Sequence, residues 1–81
     1  MFDKGKYIVF KHYGMIIFPL TTDHIEMKRL MKDEPISAGF ITIGITTDNK
    51  AIAHCYGGSV TLKLESNPEK DSRLAEKLLG L

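Results

Sequence analysis

The sequence predicts an α+β domain in which a five-stranded antiparallel sheet carries two helices, in the order ββαβββα. Three observations predict this class: paired apolar runs around a glycine turn, a strictly alternating run at 36–47, and two segments with apolar residues at helical spacing. Alternation with a period of two is typical of strands, and spacings of three and four are typical of helices. Residues 1–81 contain no repeat or linker, so a single domain is expected.

The first two strands are predicted as a hairpin. Tyr7–His12 and Met15–Phe18 are rich in β-branched and aromatic residues, with Tyr13-Gly14 as the turn and Pro19 as the end. Both runs are apolar on both faces, whereas a strand of a one-sided sheet needs only one apolar face. The second face is therefore expected to meet a ligand or another subunit, and a small core favours a homo-oligomer.

The first helix is expected to run from an N-cap at Asp23 to about Lys32. Glu26 stands three residues after Asp23, as in a capping box, and Pro35 follows the helix as a stop signal. The helix presents one apolar stripe: Met27, Leu30 and Met31.

The remaining strands are predicted as an antiparallel meander. Ile36–Thr47, Ala51–Tyr56 and Ser59–Glu65 alternate in polarity, and turns are expected at Asp48–Lys50 and Gly57-Gly58. A last helix follows, with Ser66 or Asn67 as its cap, Pro68 in its first turn and Gly80 at its end; its inner stripe is Leu74, Ala75 and Leu78. Both helices are expected to cover the same face of the sheet.

Composition limits the classes of function. Eleven Lys and Arg against ten Asp and Glu give a net charge of +1, which lacks the basic excess typical of a protein that binds a nucleic-acid polymer. The single Cys cannot form an intramolecular disulfide, which fits a reducing compartment. No run approaches a membrane span, and the first residues lack the apolar core of a signal peptide. A cytoplasmic protein is expected.

The segment His54–Ser59, HCYGGS, holds the only Cys and the only Gly pair. His54 and Cys55 are neighbours on a strand, so their side chains point to opposite faces and cannot form a nucleophile–base pair. The three His and one Cys lack the paired spacings of zinc ligands. We therefore predict no catalytic residue, metal or cofactor, and interpret Cys55 as a buried structural thiol.

Two interpretations of the Gly pair stay open. Gly57-Gly58 between alternating strands is a strong hairpin signal. A glycine turn also leaves backbone N–H groups uncovered, so an anion could bind there with help from the Ser59 hydroxyl. Tyr56, on the same strand face as His54, could then stack on a planar ligand. Arg29 lies in a basic cluster that a solvated helix face explains more simply, and a phosphate contact is the less favoured alternative for it.

Three segments, Pro35–Phe40, Cys55–Leu62 and Pro68-Glu69 with Asp71, resemble those of small uncharacterised proteins of tailed phages and prophages. The resemblance implies a short, soluble accessory protein in the host cell rather than a metabolic enzyme. Small phage proteins of this type include inhibitors of host defence, among them oligomeric sponges that sequester cyclic-nucleotide signals.

Two functional hypotheses follow from different classes. The first is a non-catalytic protein that binds and sequesters a small nucleotide immune signal, as an oligomer. The alternative is a protein-interaction module that inhibits a host enzyme through an exposed hairpin or helix. A hydrolase acting through Cys55 or His54 is the third hypothesis, disfavoured because no acid–base pair accompanies them.

Overall fold

The structure, a computed structural model, describes residues 2–81 and the side chains of residues 3–81. The fold is α+β, as predicted. Its strands and helices, in chain order, are β1 (Phe2–Phe10), β2 (Gly14–Phe18), α1 (His24–Leu30), β3 (Pro35–Ile45), β4 (Ala51–Tyr56), β5 (Gly58–Ser59), β6 (Leu64–Glu65) and α2 (Pro68–Leu79). Neither helix in this part of the chain is long and apolar enough to cross a membrane.

The main sheet has four antiparallel strands in the order β2-β1-β3-β4. In the centre of the sheet, Tyr7 of β1 lies opposite Ile17 of β2 and Gly39 of β3. Strands β5 and β6 form a separate two-stranded hairpin. The prediction of one five-stranded sheet is therefore wrong.

The predicted strand Ser59–Glu65 breaks because its own hydroxyl groups fold it into a turn. The Ser59 Oγ accepts a hydrogen bond from the Leu62 N–H (3.3 Å) and shares one with the Thr61 hydroxyl (3.2 Å). The Lys63 N–H donates to the Val60 carbonyl, and Lys63 adopts a φ of 56°. Ser and Thr side chains compete in this way with the ladder of a sheet. The alternating pattern was real, but the local hydrogen bonds turn the chain before a fifth strand can join the sheet.

The two helices cover opposite faces of the main sheet, which corrects the expectation that both cover one face. Ala75 of α2 packs in a core cluster with Tyr7, Ile41 and Cys55. Ile8 follows Tyr7 and so points to the other face. Its cluster is covered by residues from α1 and from the β5–β6 hairpin: Met27, Met31, Leu62 and Leu64.

This arrangement explains the apolar first hairpin without a second subunit. Both faces of β1 are buried within the chain: Tyr7 and Ile8 are fully buried, and Phe10 is 1% exposed. An oligomer stays a prediction, but the two-sided apolar pattern no longer argues for it.

The element ends follow the local sequence to different degrees. Strand β4 has the predicted limits, and Asn49 adopts the left-handed φ (62°) predicted for its turn. Helix α2 begins at Pro68 and ends at Leu79, and Gly80, whose φ is 73°, is its C-cap. Helix α1 is shorter than predicted, and the Asp23 side chain makes no capping hydrogen bond.

Candidate ligand-binding site

One end of the sheet face beneath α1 is left uncovered. Helix α1 and the hairpin cover the end that contains Ile8 and Phe10. Beyond it lie two rows of directly paired residues from β1, β3 and β4, and directly paired side chains project from the same face. We call these six residues the open rows: Lys6, Phe40 and Tyr56 in the first, and Lys4, Thr42 and His54 in the second.

Three rings in the open rows form an array with nearly parallel planes. The ring centroids of His54 and Tyr56 are 5.7 Å apart with an interplanar angle of 15°, and those of Tyr56 and Phe40 are 5.9 Å apart at 27°. Offset parallel rings at such distances attract one another. Because the His54 side chain is exposed, a flat ligand can extend this array.

His24, the first residue of α1, fixes the other side of the array. Its ring is buried and meets Phe40 and Phe18 edge-on, with centroid distances of 5.9 and 5.5 Å. The Nε2 atom lies 2.9 Å from the Gly39 carbonyl oxygen. A carbonyl oxygen can only accept a hydrogen bond, so Nε2 carries the hydrogen atom and is the donor of this bond. The array is therefore tied to the backbone of β3 before any ligand arrives.

A groove of about 340 Å³ opens beside Phe40, between α1 and the hairpin. Its walls include Lys6 from β1, the N-cap residue Asp23 and the first helical residue His24, and residues 58–61 from the hairpin. The Lys6 side chain is only 14% exposed, and its Nζ lies 3.7 Å from Asp23 Oδ1. The groove thus places a partly buried cation next to the ring array.

A larger groove of about 760 Å³ follows the hairpin itself, from Gly57 to Ser66. It is lined by residues 57–60 and 63–66 and contains no aromatic side chain. Lys63 and Glu65 supply its charges with opposite signs. The smaller groove, which shares Phe40 with the ring array, has the more specific chemistry.

The two glycines of HCYGGS are required by close packing. Gly57 has a φ of 75°, and a Cβ atom there would lie 3.2 Å from Phe40 Cδ2. A Cβ atom on Gly58 would lie 2.7 Å from the Leu64 carbonyl oxygen. Gly57 therefore lets the chain leave β4 past the Phe40 ring, and Gly58 lets the two short strands pair. The predicted turn follows Tyr56, but it leads into the small hairpin and not into a fifth strand of the sheet.

The structure brings some of the predicted site residues together and separates others. His54 and Tyr56 stack in the open rows, next to Gly57 and Gly58. Ser59 is 5% exposed, and its hydroxyl is engaged within the hairpin. Arg29 is exposed in the last turn of α1 and does not line the groove beside Phe40.

Sequence reasoning missed three residues of this site: Lys6, His24 and Phe40. Each lies far along the chain from HCYGGS, and only the register of β1 with β3 and the docking of α1 bring them together. The one local signal was the alternation of β3, which puts Phe40 and Thr42 on the same face.

A second group of reactive side chains lies on the opposite face, under α2. The Asp71 carboxylate is 2% exposed and accepts three hydrogen bonds: from the Tyr7 hydroxyl (2.6 Å), the Asn67 N–H (2.9 Å) and the Ser37 hydroxyl (3.2 Å). Burial, together with the bond and charge of Asp71, raises the pKa of the Tyr7 phenol above its ordinary value. Tyr7 is therefore held as a neutral donor to a buried carboxylate.

Cys55 belongs to this buried group. Its side chain is fully buried, and its N–H donates to the Ser72 Oγ at 2.8 Å. Burial and the nearby Asp71 charge raise the pKa of the Cys55 thiol to about 11. Since the thiolate is the nucleophilic form, this environment suppresses its reactivity. The burial predicted for Cys55 is confirmed, as is the projection of His54 to the other face.

In the described residues, 2–81, no group of three or more His, Cys, Asp or Glu side chains is placed to hold a metal ion. Comparison of the chain with protein-family profiles, with curated proteins and with solved structures finds no match. The geometry of the open rows is thus the basis for a functional proposal.

Proposed function

We propose that this protein binds and sequesters a small nucleotide on the open rows of its sheet, without transforming it. One observation carries the proposal: the parallel rings of Phe40, Tyr56 and His54 lie beside two lysines on an uncovered part of the sheet. Aromatic rings bind nucleobases by stacking, and lysines bind phosphate groups.

Binding without turnover is supported by the position of the reactive groups. The thiol of Cys55 is buried on the opposite face, and its raised pKa opposes nucleophilic attack. The Asp71 carboxylate is also buried there and is fully hydrogen-bonded. In the phage setting that the sequence resemblance implies, the bound nucleotide is an immune signal of the host.

Calorimetric titration with nucleoside 5′-monophosphates and 3′,5′-cyclic nucleotides tests this proposal. Tyr56→Ala is expected to weaken binding by about 1–3 kcal/mol, because it removes the central ring of the array. Tyr13→Ala is the matched control, since Tyr13 is 68% exposed in the β1–β2 turn and has no place in the open rows. Ser59→Ala is expected to weaken binding much less than Tyr56→Ala, since the Ser59 hydroxyl bonds within the hairpin.

The fate of the ligand provides the second measurement. Nucleotide recovered intact after heat denaturation supports sequestration, whereas a chemically altered nucleotide would mean an enzyme. Equal affinities of Tyr56→Ala and the unaltered protein would contradict binding on the open rows.

The alternative, a protein-interaction module that inhibits a host enzyme, rests on a different observation. Val60 at the tip of the hairpin is 94% exposed, so its apolar side chain is accessible to a partner protein. Inhibition of a host enzyme that is lost in Val60→Asp, without any nucleotide binding by the unaltered protein, would favour this alternative.

A further inference from the structure

We infer that the ligand is a single nucleotide with a terminal phosphate monoester, whose base lies over β4 and whose phosphate binds Lys6 on β1 in competition with Asp23. This inference rests on the proposed function and specifies the ligand class and its orientation. It is argued from the span of the first open row, from the charges around the groove and from the groove's size.

The first open row has the length of an extended nucleotide. Tyr56, Phe40 and Lys6 are paired across three neighbouring strands. Strands lie about 4.8 Å apart, so the Tyr56 and Lys6 positions are separated by roughly 10 Å. Phe40 and His54 stack on the Tyr56 ring, so the base stacks on the exposed His54 ring at the end of the array. His54, Thr42 and Lys4 span the same three strands, so the sugar lies over β3, next to the Thr42 hydroxyl, and the phosphate over β1, beside Lys4 and Lys6.

Asp23 occupies the position at which the phosphate would contact Lys6. Although Asp23 is the N-cap residue of α1, its side chain caps no backbone N–H and lies instead 3.7 Å from Lys6 Nζ. Its side chain is 70% exposed and free to swing into solvent, whereas that of Lys6 is held in the groove. An anion can thus displace the carboxylate without moving the lysine.

This competition selects the charge of the ligand. A phosphodiester carries one negative charge, as the Asp23 carboxylate does, and gains little by replacing it. A phosphate monoester carries about −1.5 to −2 charges at pH 7 and offers three acceptor oxygens. Lys4, exposed in the second row, supplies a further cation beside Lys6. The monoester is therefore preferred over the cyclic diester.

Because the base lies over the open rows, the groove receives only the phosphate end of the ligand, and it limits what can follow the phosphate. Its volume of about 340 Å³ is at the lower end of the range of roughly 300–1,000 Å³ that is usual for small-ligand sites. The hairpin, at Gly58–Thr61, closes the side away from the open rows. A dinucleotide would extend over this wall.

The test is titration of four proteins with nucleoside 5′-monophosphates and with the corresponding 3′,5′-cyclic nucleotides. Lys6→Gln is expected to weaken monophosphate binding about tenfold, as for a lost charge-assisted bond. Asp23→Asn is expected to strengthen it about threefold, because the internal competitor loses its charge. Asn also serves as an N-cap, so α1 is expected to persist. In the double variant, which carries Lys6→Gln and Asp23→Asn together, the second substitution should not raise the affinity above that of Lys6→Gln alone.

The matched control is Lys11→Gln. Lys11 lies just beyond the far end of β1 and pairs with Glu34 at 3.9 Å, an exposed counterpart of the Lys6–Asp23 pair. The affinity of Lys11→Gln for the monophosphates should equal that of the unaltered protein. Circular dichroism and thermal melting check that each variant is folded.

The outcomes separate this inference from the proposed function. Tighter binding of cyclic nucleotides than of monophosphates would overturn the inference and leave nucleotide binding intact, provided that Tyr56→Ala still weakens it. The inference would also be overturned if Asp23→Asn failed to strengthen monophosphate binding, or if Lys6→Gln failed to weaken it. Absence of binding by every nucleotide would overturn both.

Discussion

The two faces of the sheet differ in the burial of their polar groups. Under α2, Tyr7, Asp71 and Cys55 are closed off from water, and the hydrogen-bonding atoms of the carboxylate all have partners. On the other face, the open rows leave His54 and Lys4 exposed and keep Phe40 and Tyr56 only partly covered. The thiol of Cys55 and the carboxylate of Asp71 are therefore on the closed face, and the residues that can meet a ligand, His54 among them, are on the open one.

The difference teaches that burial decides the role of a reactive side chain. A buried polar cluster whose members satisfy one another specifies packing. An exposed array whose rings are held by neighbours, as His24 holds Phe40, is preorganised for a partner. Substitutions on the closed face should therefore change stability, and those on the open face should change binding.

The largest expected effect is that of Asp71→Ala. The substitution leaves the buried hydroxyls of Tyr7 and Ser37, and the partly buried Asn67 N–H, without their acceptor. Each buried group left unsatisfied costs about 1–3 kcal/mol, so a loss of roughly 3 kcal/mol or more is expected in urea unfolding. Glu69→Ala, an exposed carboxylate in the first turn of the same helix, is the control and should change little. Equal effects of the two would break the distinction between the faces.

Cys55→Ser should have the next largest effect. It replaces a thiol with the more polar hydroxyl in a fully buried position and is expected to lower the free energy of unfolding by roughly 1–2 kcal/mol. Nucleotide affinity should be retained in the folded variant. Loss of binding in a folded Cys55→Ala protein would show that the closed face contributes to function.

Ser59→Ala sharpens the comparison within the HCYGGS segment. Its hydroxyl organises the hairpin turn, so the variant is expected to lose about 1 kcal/mol of stability. Tyr56→Ala should show the reverse pattern, with a marked loss of affinity. Chemical unfolding and titration of both variants measure the contrast, and a loss of affinity in Ser59→Ala as large as that in Tyr56→Ala would contradict it.

The smallest effect on stability is expected for Asp33→Asn, since Asp33 lies at the β1–β2 turn and on neither face of the sheet. Asp33 closes the β1–β2 turn by accepting hydrogen bonds from the His12 ring (2.8 Å) and from the N–H groups of His12, Tyr13 and Glu34 (2.8–2.9 Å). Burial opposes ionisation of this carboxyl, but the bonds from His12, Tyr13 and Glu34 outweigh it and hold the pKa of Asp33 below its ordinary value of 3.8.

A carboxyl with a lowered pKa stabilises the fold above its unfolded pKa and loses this contribution as the pH falls through the folded one. The difference in melting temperature between the unaltered protein and Asp33→Asn should therefore be present at pH 7 and shrink below about pH 4. A constant difference down to pH 2 would contradict the assignment.

The parts of the fold that local sequence determines were predictable. Strand β4 and its neighbouring turn follow from alternation and from the tolerance of Asn49 for left-handed backbone. The limits of α2 follow from Pro68 and Gly80, whose conformational restrictions act at the residue itself. In these segments, the residues at the turn or helix end determine the structure without contacts from distant parts of the chain.

The failures occurred where a distant or competing contact decides. At Asp23 the capping box was expected, but the carboxylate faces Lys6 from another strand. At Ser59 the alternation was correct, yet side-chain hydrogen bonds to Thr61 and Leu62 won over strand pairing. The candidate site was half predicted: Tyr56 and His54 were named, whereas Lys6 and Phe40 required the register of β1 with β3.

The hairpin between β4 and α2 is an excursion of the chain whose two ends are joined by a hydrogen bond. The Ser66 N–H donates to the Gly57 carbonyl at 2.9 Å, so residues 57–66 leave the sheet and return to nearly the same point. Because the cost of closing a loop changes slowly with its length, such an excursion can be lengthened or shortened while the strands before it and the helix after it keep their places. Variation at the exposed tip, Val60 and Thr61, would reshape one wall of the groove, while Leu62 and Leu64 continue to cover the core and Gly57 keeps its packing against Phe40. Ligand preference could therefore diversify among descendants of this fold at little risk to folding.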